Sequence, residues 1–235
     1  MQSYDTVIIG ASFYGCGLAI GMPGSKILEP AIVTGAEFSL AINPGSDWDA
    51  LLQTAEARAC KEELQRRKGL NAAGQATVAA FTPILSACCQ AQQLDIEFSC
   101  SVIQQTGDCL LVVGVGGPRE IRAGRVISAL PNTSAGQKSL TGIVSLVGTL
   151  PDGDYGPFFL RNSCRQGEAY LRLFIPAEEP WPEARQRFHA TWDQRASGLS
   201  DARLLLLATS FAWPGAANPV LALDRGICEG RAVQC

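Results

Sequence analysis

The sequence predicts an α/β fold: a parallel sheet joined to an antiparallel β-meander, with a small α+β insertion on one side. Three stretches carry that expectation. Residues 5–29 read as strand, glycine-punctuated turn, short helix and second strand. Residues 95–129 hold short apolar strand runs divided by Gly107-Asp108 and by Gly116-Gly117-Pro118. Residues 203–229 read as an apolar strand, a loop and a closing helix.

The first stretch is the most informative. Thr6 to Ile9 has the pattern of a buried strand, and the line Gly10-Ala11-Ser12-Phe13-Tyr14-Gly15 turns the chain into a helix of about Phe13 to Gly21. Gly24 and Ser25 break the helix, Lys26 to Leu28 form a second strand, and Glu29 closes it. That order is the plan of a dinucleotide site. Free N–H groups and the positive end of a helix dipole face a pyrophosphate, and the terminal acid accepts hydrogen bonds from a ribose diol. Serine stands where the pattern G-x-G-x-x-G has its middle glycine. It is the smallest polar replacement, and its hydroxyl is available to a phosphate. Gly15 is expected to let the helix pack close to the strand. A degenerate turn that binds no nucleotide is the alternative.

Composition narrows the remaining classes. A chain of 235 residues forms one large domain or two small interleaved ones, and 47% hydrophobic residues supply a core. A formal charge of −3 offers no basic surface for nucleic acid. No apolar run reaches the roughly 18 residues of a membrane span, and the N-terminus carries no signal-peptide pattern, so the expected location is the cytoplasm. The nine cysteines follow no C-x-x-C spacing and read as small buried hydrophobes of a reducing compartment, Cys88-Cys89 included. With one histidine, His189, no metal site is expected.

Residues 31–49 lack a clean period and read as a loop with a short strand, turning at Asn43-Pro44-Gly45. Ala50 to Arg67 reads as a helix with Leu51, Leu52, Ala55, Ala59 and Leu64 inward. A second helix pattern covers Thr77 to Gln92. It starts near Thr82, because Pro83 suits a first turn. Strand runs follow at Asp95–Phe98, Ser101–Thr106, Cys109–Val115, Glu120–Ile121 and Arg125–Ala129, the last ending at Leu130-Pro131-Asn132. Thr141–Val147 and Ala169–Ile175 are further strand candidates, with a turn at Pro151–Gly156 and the stretch Phe158–Cys164 between them. A helix starts near Pro180 or Trp181, with Trp181, Ala184, Phe188 and Trp192 on its apolar side. Arg203–Thr209 reads as a buried strand. Asn218 and Pro219 cap and open a last helix to about Glu229.

The glycine turn, the run IEFSCSVIQQTGDCLLVVGVG with the return REIRAGRVISALPN, and the C-terminal LLLLATSFAWPGAANPVLALDRGICEG together resemble flavoproteins of the glutathione-reductase and amine-oxidase type. The resemblance implies a Rossmann-like FAD-binding domain with a parallel sheet and an antiparallel β-meander, discontinuous over 1–132 and 201–235. A small substrate- or partner-binding domain fills 133–200. It implies FAD as cofactor, held by Gly10, Ser12, Phe13, Tyr14, Gly15, Glu29 and Pro30, with Val102 at the adenine. The helix N-terminus at Asn218, Pro219 and Val220 faces the flavin. The family's acidic residue before that helix is absent, and Ala208-Thr209-Ser210 stands in its place.

The activity so implied is that of an FAD-dependent oxidoreductase, taking hydride from a small organic substrate. A homo- or hetero-oligomeric partner is expected to complete the active site. Two alternatives stay open: a non-catalytic FAD-binding subunit of a larger flavoprotein complex, and an NAD-binding protein without flavin. No Ser-His-Asp or paired-carboxylate arrangement stands out, so no catalytic residue is assigned. His189 is a candidate base weighed against a surface histidine. Arg161, Arg165 and Arg172 are candidates for gripping a carboxylated substrate, weighed against solvated arginines. Tyr155, Phe158, Phe159, Tyr170, Trp181 and Trp192 are candidates for an apolar pocket, weighed against the insertion's own core.

Overall fold

Strand β1 (Gln2–Ile9) centres a six-stranded sheet in this computed structural model, which describes residues 2–130, 138–208 and 216–234. Pro131, Asn132, Thr209 and Ser210, which the sequence sets at a strand end and a strand-to-loop junction, lie outside the described residues. The sheet is completed by β2 (Lys26–Glu29), β3 (Asp95–Phe98), β4 (Ser101–Thr106), β5 (Cys109–Gly114) and β6 (Gly117–Ser128), in the order β3-β2-β1-β6-β5-β4. The first four strands of that order run parallel, and β5 and β4 add an antiparallel meander. The architecture is therefore mixed α/β, as expected.

Two expected strands, Glu120–Ile121 and Arg125–Ala129, are one continuous β6. Its first half pairs with β5 and its second half with β1. Gly124, between those two stretches, is a point of close approach. A Cβ there would lie 3.1 Å from the Asp5 carbonyl oxygen, so glycine lets the strand pass β1 without ending.

Helix α1 (Phe13–Gly21) is buried along nearly its whole length, and Ser12 is its N-cap. The segment after β2 forms no strand. It holds the single-turn helix α2 (Ala36–Ser39), and Ile42 and Asp47 turn with positive φ. Helix α3 (Ala55–Arg66) starts later than its hydrophobic pattern, at the Thr54 cap. Leu51 is therefore exposed, and the buried stripe is Ala57, Cys60 and Leu64. The cause is remote: the buried Asp224 carboxylate accepts from Gln53 N, Thr54 N and Thr54 Oγ1 at 2.6–2.9 Å and fixes where α3 begins. Helix α4 (Phe81–Ala91) carries Pro83 in its first turn as expected. Phe13, Phe38 and Phe81 meet edge to face beneath it, with centroids 5.9–6.4 Å apart.

A second, fully antiparallel sheet is built from β7 (Ser139–Ser145), β8 (Gly153–Tyr155), β9 (Phe158–Asn162), β10 (Glu168–Phe174) and β11 (Arg203–Leu207), in the order β11-β7-β10-β9-β8. One face carries Leu140, Val144, Phe158, Leu160, Leu171 and Leu173. It packs on Ala184, Phe188 and Trp192 of helix α5 (Trp181–Asp193). The period of two therefore turns Phe159, Arg161, Tyr170 and Arg172 to the opposite face. Strand β11, read from sequence as strongly buried and grouped with the first unit, is instead the edge of this second sheet. Among the described residues it pairs only with β7, through a bulge, and leaves Leu205 and Leu206 more than half exposed.

The closing helix α6 (Pro219–Gln234) lies against α1 at glycine distance. A Cβ on Gly226 would sit 2.2 Å from the Tyr14 carbonyl oxygen, and one on Gly17 would sit 2.3 Å from the Leu223 carbonyl oxygen. Among the described residues no helix is long and apolar enough to cross a membrane.

Candidate functional site

The turn from β1 into α1 is held from both ends. Gly10 takes φ +106°, and its N–H donates to Leu28 O at 2.8 Å. A Cβ on Gly15 would lie 2.1 Å from the Gly10 carbonyl oxygen, so only glycine permits this approach. The Ser12 hydroxyl does not face outward to a phosphate. It donates to Ala129 O and accepts from Gly15 N, both at 2.9 Å, tying the turn to the end of β6 and capping α1. Glu29 is buried at the end of β2. Its carboxylate accepts from Ala11 N at 2.5 Å and Ala31 N at 2.7 Å.

A second carboxylate, unassigned by the sequence reading, sits at the α1 N-terminus. Glu37 of α2 accepts from Phe13 N at 2.6 Å and is 3% exposed. Burial, reinforced by the charge of Glu29, lifts its pKa to about 7 against the opposing hydrogen bond from Phe13 N–H. The sequence held one signal for it. Glu37 is the single charged residue between Glu29 and Asp47, inside an otherwise apolar run.

The other expected site residues divide. The Phe13 side chain belongs to the aromatic core. The Tyr14 side chain turns away from the α1 N-terminus to α6, where its hydroxyl donates to Glu229 at 2.5 Å. Burial and that bond raise its pKa to about 12. Pro30 is exposed, and Val102 lies on β4, half-buried against the small cluster that contains Leu28. Asn218 and Val220 are buried at the start of α6, next to Pro219. Asn218 Oδ1 caps Leu221 N at 2.9 Å, and its Nδ2 donates to Ser46 O and Asp47 O.

Between the segment 43–46, Ala217 and the polar face of the second sheet lies a cavity of about 330 Å³. Arg161 and Arg172 enter it beside Phe159, Tyr170 and Phe174. Arg172 Nη2 donates to Asn43 Oδ1 at 2.7 Å, and Arg161 Nη1 donates to Gly45 O. Burial, then the charge of Arg161, hold the Arg172 pKa below the ordinary arginine range. Arg165 lies beyond the end of β9, exposed and 3.7 Å from Glu168, and takes no part. Of the six candidate aromatics, Phe159 and Tyr170 line the cavity, whereas Phe158 and Trp192 are core to the second sheet. Tyr170 is pinned: its hydroxyl accepts from Val78 N at 3.0 Å and donates to Glu168 at 2.9 Å. His189 is exposed on α5 and away from the cavity lining. Among the described residues no cluster of three metal-ligating side chains occurs.

No protein-family model and no curated protein sequence matches the chain. Solved structures do match its fold. It is similar to a geranylgeranyl bacteriochlorophyll reductase-like protein from Thermoplasma acidophilum, with 12% identity, TM-score 0.63, and coverage of 100% of this chain and 78% of that one. It is similar to the myxobacterial halogenase CndH, described as a variant of FAD-dependent halogenases, with 14% identity, TM-score 0.58, and coverage of 99% and 72%. It is also similar to glycine oxidase from Bacillus cereus, with 12% identity, TM-score 0.59, and coverage of 98% and 95%. The chain spans 60% of the length of BexE, an oxidation protein of BE-7585A biosynthesis, and 52% of CabE, an aromatic hydroxylase of angucycline biosynthesis. At these identities what is shared is the fold.

Proposed function

We propose that this chain is an FAD-dependent oxidoreductase acting on a small organic substrate. The observation that carries the reading is the turn into α1. Gly10 at positive φ, Gly15 closed on the Gly10 carbonyl and Glu29 at the end of β2 form a cradle at the carboxyl ends of parallel strands, with positions 10 and 15 open only to glycine. The fold that carries it is shared with an FAD-dependent halogenase and with an aklavinone-11 hydroxylase solved with FAD.

The residues fit the cofactor on one condition. The α1 N-terminus and Glu29 suit a pyrophosphate and a ribose, but the Phe13 N–H is engaged by Glu37. Loading therefore requires Glu37 to be neutral or to leave, because two anions cannot share one helix N-terminus. Once bound, FAD supplies the two-electron chemistry. The chain's own residues hold and orient. Ser12 and Gly15 keep the turn closed, Asn218 fixes the start of α6 against Ser46 and Asp47, and the aromatic walls of the cavity exclude water from the substrate.

The test is direct. Purified protein is expected to be yellow, or to bind added FAD with about one equivalent per chain. Colourless protein that takes up none, by absorbance and by quenching of flavin fluorescence, refutes the reading. A second reading, a subunit whose site another chain completes, is favoured by the edge strand β11, where Leu205 and Leu206 are 62% and 56% exposed. Light scattering of the purified protein, alone and in its native extract, separates the two.

A further inference from the structure

The cavity beneath the segment 43–46 has an unusual balance of charge. Two guanidinium groups enter it, and no aspartate or glutamate is among the described residues that line it. Arg161 and Arg172 share one face of adjacent antiparallel strands. Arg161 stands opposite Tyr170 and Arg172 opposite Phe159, so the two cations are diagonal neighbours on that face. Arg161 has Asp152 at 3.9 Å on its outer side. Arg172 has no ion-pair partner among the described residues, and its one hydrogen bond is to the neutral amide of Asn43. Two like charges held together in a partly dry site are unfavourable unless an anion joins them. Part of the remaining wall is aromatic, supplied by Phe159, Tyr170 and Phe174.

We propose that this cavity binds a substrate through a carboxylate, gripped by Arg172 and Arg161, with an apolar body packed on Phe159, Tyr170 and Phe174. A planar guanidinium matches a carboxylate in two parallel hydrogen bonds, which fixes the orientation of the bound acid as well as its affinity. The aromatic wall selects against a small hydrated anion such as phosphate, which would lose water there and gain no apolar contact. A cavity of about 330 Å³ has room for a small acid. The inference deepens the oxidoreductase reading and rests on it for the fate of the acid. Binding of the acid is measured separately.

Calorimetric titration of the purified protein, with and without prior addition of FAD, uses phenylacetate, phenylacetamide and inorganic phosphate as probes. Phenylacetate is expected to bind, with phenylacetamide and phosphate at least roughly tenfold weaker. Arg172→Met is expected to weaken phenylacetate by roughly tenfold to a hundredfold. Arg172→Lys, which keeps charge and most of the volume, is expected to fall between the two, and Arg165→Met to bind as the parent does. Circular dichroism controls for folding, and the lysine variant carries the test if the methionine variant does not fold. Equal binding of phenylacetamide, displacement by phosphate, absence of phenylacetate binding, or unchanged affinity in a folded Arg172 variant each overturns the inference. Protein that binds phenylacetate but takes up no FAD keeps this inference and refutes the oxidoreductase reading. FAD-loaded protein that binds no phenylacetate does the reverse.

Discussion

Replacing Glu37 by glutamine tests the centre of the site without removing an atom from the core. The carboxylate is buried on the Phe13 N–H, and its pKa is lifted from an ordinary 4.5 to about 7. A carboxyl whose folded pKa is raised binds its proton more tightly in the folded state than in the unfolded chain. It therefore contributes stability that is fully present below pH ~4.5 and is lost as pH rises towards and through about 7. At about 1.4 kcal/mol per pH unit, the difference amounts to about 3 kcal/mol between acid and neutral solution. Glutamine keeps an oxygen for Phe13 N–H and never ionises. Urea denaturation of both proteins from pH 5 to 8.5 is expected to give a stability difference that grows by about 2–3 kcal/mol in favour of Glu37→Gln, levelling above pH ~7.5. Other titrating groups cancel in the difference. Profiles that run parallel over that range refute the reasoning, because Glu37 would then ionise at no cost and would lack the raised pKa that lets it become neutral beside a second anion.

Three further changes probe the same turn. Gly15→Ala puts a methyl 2.1 Å from the Gly10 carbonyl oxygen, so the turn must open. The loss, read from the urea midpoint, is expected to exceed the ~1–3 kcal/mol of ordinary overpacking. Ser12→Ala removes the α1 cap and the bond to Ala129 O, with an expected loss of about 1–2 kcal/mol in the same assay. Glu29→Ala is expected to weaken FAD binding roughly tenfold to a hundredfold by fluorescence titration. Even without cofactor it should cost about 1–3 kcal/mol, because Ala11 N is left without its acceptor.

What could be read from the sequence was what local pattern decides. The strand, turn and helix of residues 6–21 follow from apolar runs and glycine positions, and Glu29 ends β2 as placed. Pro83 sits in the first turn of α4 because proline tolerates few other helical positions. What could not be read depends on distant partners. The start of α3 is set by Asp224, 170 residues away from Thr54. That the stretches around Gly124 form one strand depends on its close approach to Asp5. Arg161 and Arg172 could be singled out with Arg165, but their shared strand face appears only with the β9–β10 register, and Arg165 lies past the strand where the alternation ends. Glu37 needed the fold as well. Nothing local shows that a one-turn helix returns the chain to the N-terminus of α1.

The segment from Glu37 to Asp47 ties these features into one unit. Glu37 holds Phe13 N–H at its start, and Asn43 N donates back to Phe38 O at 2.9 Å. Asn43 then accepts from Arg172, Gly45 O accepts from Arg161, and Asn218 takes Ser46 O and Asp47 O. Gly45 is pressed against Asn218 so closely that a Cβ would lie 2.8 Å from it. Three separate elements, α1, α6 and the β9–β10 pair, thus grip a few residues that have almost no regular structure of their own. Displacement of Glu37 from Phe13 N–H would pull on the same short segment that presents Asn43 to Arg172. An acid bound at Arg172 would compete with Asn43 for that guanidinium. The α1 N-terminus and the arginine cavity are therefore joined by one short stretch of covalent chain, residues 37–47.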